Sequence, residues 1–84
     1  MPNPTRVDVL PVQEVVATAS PSAWRDGLVR AQHDVLVTVV LLDGEVRRLV
    51  TRATPQPGEP VAVHPVAGLL AVGGVWYAAR PVAA

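Results

Sequence analysis

The side chains with the most obvious capacity for chemistry are the two histidines, His33 and His64. Their spacing fits neither a helical pair nor the His-x-His pattern of a metal site, and the chain has no Cys that could supply a thiolate ligand. A metal site would therefore need Asp34, Asp26 or Glu59 to complete its ligand set. A structural role in a turn is the simpler interpretation of His64, which precedes a proline, and we expect neither a metal nor another cofactor.

Nucleophilic catalysis has equally little support. Ser20 and Ser22 lie in a stretch that resembles a helix cap, without the Gly-x-Ser-x-Gly frame of a nucleophile elbow. Asp43 and Glu45 flank a glycine, where an acidic residue is favoured because it stabilises a tight turn. No glycine-rich loop precedes a helix in the way that phosphate binding requires. The sequence therefore predicts a protein that is not an enzyme.

Arginines and aromatic residues are the candidates for nucleic-acid binding. Single-stranded sites combine a basic groove with exposed aromatic side chains, but seven acidic residues balance seven basic ones here, so the net charge gives no attraction to phosphate. Arg47, Arg48 and Arg52 also alternate between the two faces of one predicted strand. We interpret them as a charged edge that discourages strand pairing, and Trp24 as a residue that closes one end of the fold. Nucleic acid is not an expected partner.

These side chains are positioned by a predicted β-hairpin over residues 35–52, centred on Asp43-Gly44. Asp-Gly between two aliphatic runs is a strong signal for a two-residue turn with positive φ angles. With such a turn, Val39 pairs with Arg48, and one face of the hairpin is the core face. The predicted core comprises Val35, Val37, Val39, Leu41, Val46, Val50, Val61, Val63 and Trp76. The other face is more apolar than solvent requires, and the predicted assembly interface there comprises Leu36, Val40, Leu42, Leu49 and Arg47.

Nine Pro and six Gly divide the rest of the chain into short segments. Strands are predicted at 28–33, just ahead of the hairpin, and at 60–64, 69–72 and 75–79. A first strand over 6–18 is interrupted at Pro11, with a helix over 12–19 as the alternative. The expected fold is all-β: a small five- to six-stranded barrel or sandwich, OB-like, with one short helical turn near residues 21–26. The predicted organisation is an extended arm at 1–5, a single domain at 6–80 and a tail at 81–84.

The hydrophobic content and its distribution along the chain bear on whether the protein enters a membrane. Half of the 84 residues are apolar, with no Phe, which is more aliphatic surface than so small a domain can readily bury. The N-terminal residues lack the apolar core of a signal peptide. Residues 60–84 are apolar on average, but they contain prolines, His64, Arg80 and a Gly-Gly turn, so we expect no transmembrane segment. The sequence favours association with a neighbouring protein rather than with a membrane.

The order of signals from residue 35 onward carries a resemblance. A Pro-x-x-Gly-acidic-x-Val-x-Val segment precedes a Gly-Gly turn and a closing strand with an aromatic residue; its residues are Pro55, Gly58, Glu59, Val61, Val63 and Trp76. Over residues 35–84 this resembles the small OB-like barrels of tailed-phage virion proteins. The resemblance implies a structural protein of the virion, found in the host cytoplasm during assembly: a head–tail connector, a tail component or a capsid-decorating protein. Its implied partners are copies of itself and other virion proteins.

The alternative is a barrel that binds a small molecule or oxyanion. The accessory domains of transporter ATPases have a similar Gly-acidic-x-Val strand, and this resemblance implies a site built from backbone and hydroxyl donors. Ser20, Ser22, Thr51 and Thr54 are the candidate donors. A small-molecule ligand is expected only under this alternative.

Overall fold

Residues 4–82 are described by the structure, which is a computed structural model. The elements in that range are seven strands and one α-helix. Their bounds are β1 (Thr5–Val7), α1 (Pro11–Ala19), β2 (Arg25–His33), β3 (Leu36–Leu41), β4 (Val46–Thr51), β5 (Pro60–His64), β6 (Leu69–Val72) and β7 (Val75–Pro81). A short 3-10 helix, Pro21–Ala23, joins α1 to β2, within the segment where a helical turn is predicted.

Strands β2 to β7 form a closed antiparallel barrel. They make two three-stranded meanders, β2-β3-β4 and β5-β6-β7, which are joined by the pairs β2–β5 and β4–β7. The loop 52–59 returns the chain from β4 to the side of β2, which makes the connection a Greek key. β1 adds a parallel seventh strand along β7. The prediction of a small all-β barrel is confirmed. Of the two predicted forms, barrel and sandwich, the strands adopt the closed barrel.

The predicted arm and tail are partly integrated into the sheet. Thr5 already pairs with Val75, and Pro81 still pairs with Leu49. Residues 1–3 and 83–84, where the remainder of the arm and tail lies, are outside the described residues. Within residues 4–82, no helix has both the length and the apolar character needed to cross a membrane.

The β3–β4 hairpin forms where the sequence predicts it, but its pairing is shifted by one residue. Val39 pairs with Arg47 rather than with Arg48. The amide of Leu41 donates to the carbonyl of Glu45, and the amide of Gly44 donates to the carbonyl of Leu41, both at 2.8 Å, so the loop spans residues 42–44. Gly44 has φ 89°, the left-handed conformation that three-residue hairpin loops place at their end. Because side chains alternate along a strand, this shift exchanges the two faces of β4.

The shifted register corrects the predicted core. Val46 is 46% exposed and Val50 is half-buried, whereas Leu49, predicted to lie on the surface, is 4% exposed. Val35 is in the turn between β2 and β3 rather than in a strand, and it is 54% exposed. The remaining members of the predicted hairpin and β5 core are buried as expected: Val37, Val39, Leu41, Val61 and Val63.

Helix α1 replaces most of the predicted first strand, and the alternative of a helix over 12–19 is confirmed. Pro11 occupies its first turn, where a proline costs no hydrogen bond, and the side chain of Gln13 accepts a bond of 2.9 Å from the amide of Leu10. The inner face of the helix contributes Ala17 to a second, smaller core. Trp76, predicted for the main core, is half-buried in this second core, where the other members are Val9, Val16, Trp24, Ala67 and Leu69. Burial against the barrel thus outweighs the low helix propensity of the valines.

Candidate functional site

The two histidines end different strands, His33 the strand β2 and His64 the strand β5. His33, the last residue of β2, is exposed and its Nε2 is 3.4 Å from a carboxylate oxygen of Asp34. His64 is completely buried: the amide of Ala67 donates to its Nδ1 at 3.0 Å, and its Nε2 is 2.9 Å from the carbonyl oxygen of Ser20. Because Nδ1 accepts, the proton is on Nε2, and both nitrogens are satisfied. His64 therefore has a structural role, and no metal-binding group of three or more His, Asp or Glu occurs within residues 4–82.

The four candidate hydroxyl donors for an oxyanion are in different surroundings. Thr51 is buried in β4, and its hydroxyl accepts a bond of 3.3 Å from the amide of Ala53. Ser22 and Thr54 are exposed, in the 3-10 helix and in the loop 52–59. Ser20 contributes its backbone carbonyl to His64. The four candidate donors therefore lie on four different segments, and one of them is buried and bonded within its own strand end.

The arginines near the hairpin do not form one basic stripe. Arg47 faces inward beside Leu49 and pairs with Glu45 at 2.8 Å, whereas Arg48 faces solvent. Arg52 lies 3.4 Å from Asp8. The two tryptophans pack on each other, with ring centroids 5.2 Å apart, and are half-buried under α1. Exposed aromatic residues for base stacking are therefore not combined with a basic groove.

One cavity is partly enclosed at the end of the barrel. It measures about 70 Å³ and is lined by residues that include Arg47, Leu49, His64 and Pro81. The buried Nε of Arg47 has no hydrogen-bond partner among residues 4–82. Pockets for small molecules typically begin at about 300 Å³, so this space suits ordered water rather than a substrate.

The structure separates the predicted assembly interface into two groups. Leu36 and Val40 project outward from β3 and are half-buried, and Leu42 in the hairpin loop is 77% exposed. Leu49 and Arg47 are corrected, because the one-residue shift turns their side of β4 toward the interior. Leu49 is part of the core, and Arg47 lies at the rim of the cavity.

A row of apolar side chains crosses the outside of the barrel. Leu28 pairs with Pro60 on one side and with Val40 on the other, and Val40 pairs with Val46. Leu28 is 48% exposed, and Pro60 and Val46 are also exposed. We call these four residues the sheet-face row. The sequence predicted strands that include Leu28 and Pro60 but did not place either residue in the interface. The alternation of Asp26, Leu28 and Arg30 with Gly27 and Val29 is a signal that the first group shares one face.

A second apolar surface lies on the outside of α1. Val12 and Val15 are spaced to lie on one side of the helix, and each is more than half exposed. Leu10, just before the helix, is exposed to a similar extent. These three residues are called the helix face below. Because the opposite side of α1 packs on the barrel, the helix is apolar on both sides.

Comparisons with known proteins add no family. A scan against models of protein families found no match, and neither a search of curated proteins nor a search of solved structures found one.

Proposed function

We propose that this protein is a structural assembly protein that acts through self-association and contacts with other proteins, as a component of a tailed-phage virion. The candidate roles are head–tail connector, tail component and capsid-decorating protein. The observation that carries the proposal is the pair of exposed aliphatic surfaces, the sheet-face row and the helix face. Single exposed aliphatic residues are normal, but contiguous apolar surfaces mark sites of protein association.

The position of the two surfaces supports assembly beyond a simple pair. The sheet-face row is on β5, β2, β3 and β4, and the helix face is on α1, so the two surfaces belong to different elements. A subunit of a ring or shell needs contacts to at least two neighbours. Two separate apolar surfaces on each copy provide for such contacts.

The resemblance to virion barrels supports the narrower part of the proposal. The Pro-x-x-Gly-acidic segment that carries it is the loop from β4 to β5, and Val61 and Val63 continue it into β5 with buried side chains. Trp76 lies in β7. The motif residues thus belong to a small barrel, as that resemblance implies.

Light scattering coupled to sizing chromatography tests the association. We expect the wild-type chain to form a discrete species larger than the monomer. The double variant Val40→Glu/Leu42→Glu should keep the circular dichroism of the wild type and shift to a smaller mass, because both side chains point away from the core. The matched control is Thr54→Glu/Gln56→Glu, which adds the same charge at exposed positions of the loop 52–59.

The virion role needs a second measurement. Mass spectrometry of phage particles purified from cells that carry the gene should detect the chain in constant ratio to the capsid protein. A chain that remains monomeric at every concentration and is absent from such particles would contradict the proposal.

A further inference from the structure

We infer that the sheet-face row is the contact through which two copies of this chain form a two-fold symmetric dimer, with their strands running in opposite directions across the interface. This inference rests on the proposed function and specifies the surface and the partner. The apolar centre of this contact consists of Pro60, Leu28, Val40 and Val46, which are neighbours across four adjacent strands. Adjacent strands lie about 4.8 Å apart, so the row is roughly 14 Å long.

Charged residues of opposite sign lie on the two sides of this row. Asp26 precedes Leu28 by two positions in β2, and Arg30 follows it by two, at the bulge between Val29 and Ala31. Both charged side chains are exposed, and neither has an ion-pair partner in the range 4–82. The surface is therefore acidic on one side of Leu28 and basic on the other.

Strand β4 places a further basic residue at the same end of the surface as Arg30. It is antiparallel to β3, as β2 is, so β2 and β4 run in the same direction. The acidic residues Asp43 and Glu45 come before Val46, but both pair with Arg25 of the same copy, and Glu45 also pairs with Arg47. The exposed Arg48 comes two residues after Val46. Among residues 4–82, the outer face thus has Asp26 as its unpaired acid at one end, an apolar centre, and Arg30 and Arg48 at the basic end.

This order of charge selects one arrangement of two copies. A two-fold axis that lies along the row brings the acidic end of each copy opposite the basic end of the other, so that Asp26 faces Arg30 of the second copy. The same axis brings Arg48 opposite the hairpin loop, whose Asp43 is already paired with Arg25 of its own copy. A two-fold axis parallel to the strands would instead bring acid against acid and base against base, which is repulsive. Only the first arrangement is complementary, and it makes the strands of the two copies antiparallel.

The same order of charge identifies the partner as a second copy. A two-fold interface must be complementary to itself, which requires both members of each ion pair on one surface. Asp26 and Arg30, on either side of Leu28, meet this requirement. The contact is at the small end of known interfaces, so we expect a reversible dimer with a dissociation constant on the order of micromolar, which weakens as the salt concentration rises.

Charge reversal within β2 is the decisive experiment, with sedimentation equilibrium as the measurement. Asp26→Arg places two basic residues against each other at each end of the dimer, and Arg30→Asp does the same with two acidic residues. Each variant alone should raise the dissociation constant of the dimer by at least about tenfold. An equimolar mixture of the two variants should restore it, because every close pair then joins an acid to a base. Circular dichroism establishes that both variants remain folded.

Two further variants separate this inference from the proposed function. Leu28→Glu should abolish the dimer, whereas Val12→Glu/Val15→Glu, on the helix face, should leave it intact. If the charge variants associate as the wild type does, or if their mixture does not recover association, the inferred dimer is wrong. Assembly through the helix face would remain possible in that case. If the wild-type chain itself never associates, the proposed function fails first.

Discussion

The backbone amide of Ala67 donates a hydrogen bond of 3.0 Å to Nδ1 of His64, in an imidazole ring that has no exposed surface. The other ring nitrogen lies 2.9 Å from the carbonyl oxygen of Ser20. The ring of Trp24 packs against the imidazole edge-on, with centroids 5.0 Å apart. One side chain thus connects the segment after α1 to the turn between β5 and β6.

Two replacements of His64 should distinguish the contributions of its two hydrogen bonds to stability. His64→Ala leaves a cavity and an unpaired amide at Ala67, whereas the carbonyl of Ser20 still accepts from the amide of Ala23. We expect it to lower the free energy of unfolding by about 3 kcal/mol. His64→Asn retains an acceptor near the position of Nδ1 and should cost about half as much. Urea unfolding of both variants measures the difference. Equal losses would mean that the bond from Ala67 contributes nothing.

Gly27 lies where β3 leaves no room for a side chain on β2. A Cβ atom on Gly27 would lie 2.7 Å from the carbonyl oxygen of Val40 and 2.8 Å from a methyl group of Val39. We expect Gly27→Ala to destabilise the fold by about 2 kcal/mol, since the backbone must move to accept the methyl group. Gly74→Ala is the control, because nothing lies within 4 Å of its Cβ position. Thermal unfolding should show a clearly larger decrease in Tm for Gly27→Ala than for Gly74→Ala.

The register of the hairpin can be tested by truncation in β4. Leu49→Ala should cost about 3 kcal/mol, because the side chain is buried in the main core. Val46→Ala should cost less than about 1 kcal/mol, because its side chain faces outward. Both are measured by chemical unfolding at a protein concentration that keeps the chain monomeric. The two-residue turn predicted from the sequence requires the opposite order.

Gln13 anchors α1 to the barrel. Its amide nitrogen lies 3.1 Å from the carbonyl oxygen of Ala67 and 3.0 Å from that of Gly68, and donates to both. Gln13→Glu has the same shape but directs a carboxylate oxygen at two carbonyls, which should cost about 2 kcal/mol. Hydrogen exchange should show faster exchange in α1 and unchanged protection in β3, since the helix can open locally. Equal acceleration in both elements would show that the helix and the barrel unfold together.

Strands β5, β6 and β7 could be predicted because they are bounded by prolines and glycines, whose covalent structure restricts or frees the backbone. Prolines and glycines bound each of β5, β6 and β7, and Gly58, Gly68 and Gly73 have positive φ in the connecting turns. A residue that restricts or frees the backbone acts locally, whatever packs around it. These strands consequently lie where the sequence predicts them, with β7 continuing to Pro81.

The hairpin register and the first element were not predictable, because both depend on distant contacts. Asp43-Gly44 fits a two-residue or a three-residue loop, and the two faces of β4 are about equally apolar, so the local pattern could not choose between them. Helix α1 contains poor helix formers, which favoured a strand. Its stability comes from packing on Trp24 and Trp76, and from the anchor of Gln13, none of which a local pattern shows.

The candidate surfaces were predictable only in part for the same reason. The excess of aliphatic residues indicated an exposed apolar face, and Leu36, Val40 and Leu42 do lie outside the core. The wrong register placed Leu49 among them and left Val46 in the core. Leu28 belongs to this surface because the Greek key places β5 and β3 on either side of β2, and that long-range pairing is not visible in the local pattern.

The parallel pair of β1 with β7 has a consequence for synthesis. Thr5 to Val7 leave the ribosome before every other described strand, whereas their partners, Val75 to Tyr77, belong to the last strand of the described residues. The opening strand, and with it the helix that covers Trp76, must wait for translation of nearly the whole described chain before it can dock. We expect nascent chains to hold early hairpins beside an unattached leading segment, and the N-terminal layer to close in one late, slow step.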